Sequence, residues 1–189
     1  MKKIIIFTFK CIVVFSLTLN NSLADLQKDL INKITATKTL SFNFKQKIAE
    51  NEETGICVIK YPLLMKCNYK NKKQKIVISN GKTVAVIKKK YKKIYYYPIK
   101  TTPLFSILQK ERLLNLVRKN KPSKINSNVI EFQLDGDKLK IYFDKNSLVL
   151  KGWETIDAYS NNVIFIMSNL KINNVIEDDV FKIPKENEL

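Results

Sequence analysis

Side chains alternate in character at every position from Leu40 to Ile48, and this alternation restricts the fold more than any other segment. One face would carry Leu40, Phe42, Phe44, Gln46 and Ile48, and the other Ser41, Asn43, Lys45 and Lys47. A two-residue period is typical of a β-strand that has one face covered and the other in water. The segment therefore predicts a strand in a sheet that packs against a core on one side.

Further short strands are predicted along most of the chain. Asn80-Gly81 lies between two β-branched runs and is the strongest hairpin signal. Tyr61-Pro62-Leu63 predicts another turn between strands. The predicted strands are Gly55–Lys60, Leu64–Tyr69, Ile76–Ile78, Thr83–Ile87, Ile94–Tyr97, Ile130–Leu134, Leu139–Phe143, Leu148–Asp157 and Val163–Asn169, with further turns at Glu50–Glu53, Lys88–Lys93 and Asp135-Gly136.

Two segments have helical spacing instead. Asp25–Thr37 places its apolar residues in one stripe, and so does Leu104–Lys119, which follows Thr102-Pro103. Together with about eight to eleven antiparallel strands, these segments predict a mainly β fold. We expect an incomplete, strongly bent antiparallel β-barrel that is covered by two or three helices and formed by one domain, residues 25–189.

The N-terminus has the pattern of a cleavable signal peptide. Lys2 and Lys3 precede an apolar run, and Ser22-Leu23-Ala24 provides the small residues that a signal peptidase reads. We expect cleavage after Ala24, so that residues 1–24 are removed and the protein is exported to the periplasm. The alternative is an uncleaved membrane anchor, although the run is short and interrupted compared with the roughly 20 apolar residues that a span needs.

The chain is strongly basic, with a net charge of +17 over 189 residues. Three of the lysines lie in the first 24 residues, so the remaining chain carries +14. Only Arg112 and Arg118 are arginines, whereas the reading of base edges favours arginine, so we expect no nucleic acid partner. The lysines then form either a solvated surface or a patch that binds an anionic membrane.

Catalytic chemistry is limited by the residues that the sequence lacks. There is no histidine, which excludes Ser-His-Asp and Cys-His catalysis and imidazole-based metal sites. Four glycines are too few for a glycine-rich phosphate loop. The acidic groups at Glu50–Glu53, Asp135–Asp137 and Glu177–Asp179 all fall where turns are expected. We therefore expect no enzyme activity, no cofactor and no metal.

Cys57 and Cys67 lie symmetrically about Pro62. If the chain turns there, the two cysteines become cross-strand neighbours with a Cα separation of about 4.5 to 5.5 Å. That separation permits a disulfide, and the periplasm is oxidising. The alternative is that both residues are small apolar members of the core.

Several motifs resemble the LolA family in order and spacing, over nearly the whole chain after residue 24. The Phe42-Asn-Phe44-Lys-Gln46 segment comes first, and the last is Phe181-Lys-Ile-Pro184. Between them are Gly55 before Lys60-Tyr61-Pro62, Met65 with Tyr69, Ile78-Ser-Asn-Gly81-Lys, Thr102-Pro103 before a leucine-rich helix, Asp144 before Leu148, and Asp157.

The resemblance implies a monomeric periplasmic carrier with an incomplete barrel and a helical lid. Such carriers take lipoproteins from an inner-membrane ATP-driven releasing complex and deliver them to an outer-membrane receptor. The lipoprotein acyl chains would be bound by Phe42, Phe44, Tyr61, Met65, Cys67, Leu104, Leu108, Phe143 and Trp153, although the same side chains also suit an ordinary packed core. A lipid-binding sensor or structural binding module of the same fold is the alternative function.

The chain departs from the family pattern at two positions of the implied cavity wall. Tyr61 stands where the family has an arginine that ties the barrel to the lid, and Cys67 stands where it favours an aromatic residue. A phenol can donate one hydrogen bond where a guanidinium donates five. We therefore expect Tyr61 to contact the lid but to bind it more weakly than the arginine of the family would.

Overall fold

The fold is one open antiparallel sheet. The computed structural model describes residues 23–134, 139–157 and 160–189. Its eleven strands have the spatial order β6-β5-β4-β3-β2-β1-β11-β10-β9-β8-β7. They are β1 Thr39–Ile48, β2 Asn51–Lys60, β3 Leu64–Tyr69, β4 Lys75–Asn80, β5 Thr83–Lys88, β6 Lys93–Pro98, β7 Lys124–Ile125, β8 Val129–Leu134, β9 Leu139–Asp144, β10 Leu150–Ile156 and β11 Asn162–Ile172. Within the described residues, β6 and β7 are unpaired along their outer edges, so the barrel is incomplete, as expected.

Among the described residues, three α-helices accompany the sheet: α1 over residues 23–36, α2 Leu104–Leu108 and α3 Lys110–Lys119. Short 3-10 helices occupy Lys89–Tyr91, Ile99–Thr101, Asp178–Phe181 and Glu186–Glu188. The single helix predicted from Leu104 to Lys119 is broken at Gln109, which has extended backbone angles. Thr102 does not cap α2; its hydroxyl donates a hydrogen bond to the Ile99 carbonyl instead.

The acidic stretch Glu50–Glu53 is only partly a turn, which corrects the prediction made from its polarity. Strand β2 already begins at Asn51, and its first residues pair with the end of β1. The acids are accommodated because cations face them: Glu52 lies 2.7 Å from Lys45, and Glu53 pairs with Lys75. The predicted turn at Asp135-Gly136 lies outside the described residues.

The sheet is curved around a single apolar core. Buried residues from β5 at one end of the strand order to β8 near the other belong to one cluster, together with residues of all three helices. On the opposite face, Ile78, Ala85, Ile87 and Ile94 form a second, small cluster. The C-terminal segment covers it with Ile183 and Leu189. The inner face of the sheet therefore faces the helices, and residues 177–189 cover part of the outer face.

The turn between β9 and β10 depends on Asp144, whose carboxylate accepts hydrogen bonds from the Ser147 backbone at 2.9 Å and from the Lys151 ammonium at 2.9 Å. These bonds, the backbone bond first, lower the pKa of Asp144 to about 2. A carboxyl whose pKa falls on folding stabilises the protein above its unfolded pKa, and this stabilisation is lost as the pH falls.

We predict that Asp144→Asn lowers the free energy of unfolding by about 1 to 2 kcal/mol at neutral pH, because charge-assisted bonds are lost. The difference from the parent should disappear as the pH falls from about 4 to about 2, where the parent also becomes protonated. Urea unfolding of both proteins across this pH range measures it. A difference that stays constant with pH would show that the charge of Asp144 has no part in stability.

Candidate ligand-binding site

All nine residues that the sequence predicts for acyl-chain binding meet at the apolar cluster between the sheet and the helices. Seven of them are buried in it: Phe42, Phe44, Met65, Cys67, Leu108, Phe143 and Trp153. Tyr61 and Leu104 are partly buried and pack against the same cluster. They come from strands, turns and a helix that are far apart in sequence. The structure thus brings the whole predicted set to one face of the sheet.

Aromatic rings form a continuous series across the inner face. The Trp153 and Phe165 rings are stacked with centroids 4.1 Å apart, and Phe165 stacks on Phe44 at 4.8 Å. Phe44 in turn meets the edge of Tyr69 at 4.8 Å. The prediction from sequence missed Phe165 and its neighbour Met167, although they occupy alternate positions of β11 on the inner face. That two-residue period was the signal that could have identified them.

The apolar interior is nearly closed where α1 and α3 meet the sheet. A gap of about 10 Å³ remains between α1, α3 and the sheet, beside Ile34, Tyr61, Leu113 and Phe143. A gap of this size holds at most about one water molecule, so it has no room for an acyl chain. An acyl chain that binds at this gap must therefore displace helices from the sheet, whereas a second, more open cavity of about 330 Å³ lies between α3 and strands β8 and β9.

The helices are held to the sheet by few polar contacts. The Leu63 N–H, in the turn between β2 and β3, donates to the Leu108 carbonyl at the end of α2, at 3.0 Å. Helices α1 and α3 are connected by two bonds, from Lys110 to the Thr35 carbonyl at 3.1 Å and from the Gln27 amide to the Val117 carbonyl. We call α1, α2 and α3 together the helical lid.

Tyr61 contacts the lid through its ring. The Lys110 ammonium of α3 lies 5.5 Å from the ring centroid, within the range of a cation–π contact. Within the described residues, the Tyr61 hydroxyl takes part in no hydrogen bond, so the single bond that a phenol could donate is not used here. Burial raises the pKa of the Tyr61 phenol, which stays neutral, and burial also lowers the pKa of Lys110.

One polar atom of the lid is buried without a partner. Among the described residues, the side-chain carbonyl oxygen of Gln109 is buried and accepts no hydrogen bond. Gln109 is the residue at which the lid breaks between α2 and α3. A buried acceptor left without a donor costs about 1 to 3 kcal/mol. The closed lid therefore carries a polar penalty at its own break point.

Cys57 of β2 and Cys67 of β3 are cross-strand partners in the same apolar cluster. Their Cα atoms are 4.1 Å apart, slightly closer than expected from strand pairing, and the structure joins their sulfur atoms in a disulfide. The turn between the two strands contains a cis peptide bond between Tyr61 and Pro62. The pairing of β2 with β3 thus places a covalent link beneath the lid.

We predict that Cys57 and Cys67 form this disulfide in the exported protein, where the surroundings are oxidising. Thiol labelling of the denatured, unreduced protein should then find neither cysteine reactive, and reduction should make both reactive. The Cys57→Ser variant is the matched control, because it should leave Cys67 reactive without reduction. Two reactive thiols in the unreduced parent would contradict the prediction.

Within the described ranges, no cluster of histidine, cysteine and carboxylate side chains has an arrangement that could hold a metal ion. Over the same residues, no helix has both the length and the apolarity needed to cross a membrane.

Residues 35–184 match the family described as outer membrane lipoprotein carrier protein LolA. No curated protein sequence matches the chain. An uncharacterized conserved protein from Thermus thermophilus has a similar structure, with a TM-score of 0.51 at 11% identity over 86% of this chain and 94% of that one. A LolA superfamily protein from Nitrosomonas europaea has a TM-score of 0.43 at 7% identity, over 82% of this chain and 96% of that one. The Pseudomonas aeruginosa MucA/MucB complex has a TM-score of 0.48 at 8% identity, over 87% of this chain and 62% of the matched chain. At such low sequence identities, these similarities show a shared fold and nothing more.

Proposed function

The chain belongs to the LolA family, and we propose that it is a periplasmic carrier that binds the acyl chains of lipoproteins between the inner face of its sheet and the helical lid. The observation that supports this best is the continuous apolar cluster from β5 to β8, which is covered by short helices rather than by a second sheet. Short helices with few polar ties can move away as units. The sheet beneath them keeps its own strand pairing when they do.

The energetics of acyl transfer fit such a site. Burying an acyl chain gains about 0.8 kcal/mol per methylene, so a multiply acylated lipoprotein cannot cross an aqueous compartment unprotected. A carrier must also release its cargo. The unpartnered oxygen of Gln109 disfavours the closed lid, because lid opening would return that oxygen to water. Apolar contacts thus keep the lid closed, and the buried oxygen of Gln109 makes the closed state less favourable.

We propose the partners that the family resemblance implies: an inner-membrane ATP-driven releasing complex as donor and an outer-membrane receptor as acceptor. Export by a signal peptide ending at Ala24 would place the protein between them. Residues 1–22 lie outside the described residues, so the intact mass of the exported protein has to test cleavage. We expect the carrier to act as a monomer, without a cofactor.

Mass spectrometry of material that copurifies with the exported protein tests the proposal. Acylated lipoproteins or their lipids should be recovered, and they should be displaced by an added fatty acyl probe. Recovery of a non-acylated partner protein alone would instead favour a sensor or structural binding module of the same fold. Protein that binds neither lipid nor acyl probe would contradict the carrier role.

We predict that Tyr61→Phe changes the affinity for an acyl probe by less than about threefold, because the hydroxyl makes no hydrogen bond in the closed lid and the ring is kept. Tyr61→Ala, which also removes the ring beneath Lys110, should have the larger effect on both affinity and thermal stability. Titration of a fluorescent fatty acid measures the affinities. A tenfold or greater loss on Tyr61→Phe would show that the hydroxyl holds the lid.

A further inference from the structure

Seven exposed lysines cluster at one end of the sheet, apart from the apolar interior. They lie in the turn between β3 and β4 and in the turn between β5 and β6, or directly beside them. We call this surface the lysine face, and its members are Lys70, Lys72, Lys73, Lys89, Lys90, Lys92 and Lys93. The two turns are adjacent, because the Lys89 N–H lies 3.5 Å from the Gln74 carbonyl oxygen.

The protein leaves most of the charge of the lysine face unpaired, although the Glu186 carboxylate at its border accepts a hydrogen bond from the Ile94 N–H, beside Lys93. Within the described residues, none of its seven lysines forms an ion pair. The carboxylates of the adjoining β1–β2 hairpin are already paired with other lysines: Glu50 with Lys47, Glu52 with Lys45, and Glu53 with Lys75. Seven positive charges held this close repel one another, and an external anion would relieve that repulsion.

The lysine face is open and shallow, a shape that suits contact with a broad surface that carries many small anionic groups. The two turns line an open depression of about 840 Å³ that includes Lys70, Lys72 and Lys89. Tyr91 stands beside it in the 3-10 helix of the second turn, with 51% of its surface exposed. Tyrosine side chains favour the boundary between lipid headgroups and acyl chains, where the ring is partly buried and the hydroxyl stays hydrated.

We propose that the lysine face docks the protein on the surface of a bilayer that contains anionic phospholipid, with the lysines on the phosphate groups and Tyr91 at the headgroup level. Each lysine near an anionic surface contributes to binding independently of sequence-specific contacts, and salt weakens the contribution. The lysine face is separate from the apolar interior, so docking and acyl binding can be measured independently.

Vesicle cosedimentation of the exported protein tests docking. The protein should bind vesicles of phosphatidylcholine mixed with phosphatidylglycerol at low salt, should not bind phosphatidylcholine alone, and should dissociate at about 0.5 M salt. Replacing Lys72, Lys73, Lys89 and Lys90 with glutamine should weaken binding roughly 600-fold, since each of the four lysines near an anionic surface is worth roughly fivefold. Affinity for a soluble acyl probe should stay unchanged.

A matched variant tests whether binding depends on the lysine face or only on the overall charge of the protein. Lys119, Lys121, Lys124 and Lys145 are exposed and lie outside the lysine face, so replacing them with glutamine removes the same charge from elsewhere. This variant should bind anionic vesicles within about threefold of the parent. In a separate test, Tyr91→Trp in the parent should show a shift of tryptophan emission to the blue when the protein binds the vesicles. Equal losses in the two charge variants, or no binding of the parent to anionic vesicles, would overturn the proposal.

Discussion

Replacing Leu108 with glutamate should abolish binding of an acyl probe and leave the sheet folded. Leu108 ends α2, is fully buried in the apolar cluster, and is held by the bond from the Leu63 N–H to its carbonyl. A buried carboxylate without a partner costs several kcal/mol. The protein can avoid this cost by lifting the lid, which hydrates the carboxylate but removes one wall of the binding site. We expect affinity for a fluorescent fatty acid to fall by more than about a hundredfold.

A second buried position provides the control for this prediction. Ile87 in β5 is also fully buried, but it belongs to the small cluster on the outer face of the sheet, away from the lid. Lid movement cannot expose the charge of Ile87→Glu, so that variant should be strongly destabilised or unfolded. Leu108→Met, which keeps the volume, should bind normally. Circular dichroism and thermal melting distinguish these cases: unfolding of Leu108→Glu would show that α2 is an integral part of the core, and normal probe binding would place the cargo elsewhere.

Local patterns were sufficient to predict most of the sheet. The alternation in Leu40–Ile48 set which side chains face the core, and Asn80-Gly81 fixed the β4–β5 hairpin. The inner-facing set followed because a two-residue period assigns a face without any knowledge of the partner strand. Strand β7, with only Lys124 and Ile125, has no such period, so its pairing with β8 was not predictable.

Tertiary contacts decided what the patterns could not. The polar run from Gln109 to Arg112 interrupts the apolar spacing of Leu104–Lys119, but one polar turn is common within a helix and did not by itself indicate a break. In the structure the Arg112 N–H bonds to the Gln109 carbonyl, which leaves the carbonyl of Leu108 free for the Leu63 N–H. A bond to the β2–β3 turn thus takes the place of a helical bond. The lysine face likewise needs the sheet topology, because its two turns are separated by strands β4 and β5.

Replacing Gly55 with valine should prevent stable folding or cost about 3 kcal/mol or more, at the upper end of what overpacking usually costs. Gly55 of β2 lies between Phe44 of β1 and Tyr69 of β3 in the strand register. The Phe44 ring extends over the glycine to reach Tyr69. A β-carbon at position 55 would lie 2.7 Å from two carbons of this ring and would also overlap the carbonyl oxygen of Asn68.

The clash at Gly55 cannot be relieved cheaply, because one of the obstructing atoms belongs to the backbone of β3. The other obstruction is the Phe44 ring, which is held between Phe165, on which it stacks, and the edge of Tyr69. Gly55→Ala should therefore be destabilising as well, but less so than valine. Ile56→Ala, the next residue of the strand and exposed on the outer face, is the control and should be nearly neutral. Urea unfolding of the three variants measures the series. Equal stability of Gly55→Ala and the parent would mean that the Phe44 ring and β3 can move aside, and that the inner face adapts its shape even when the lid is closed.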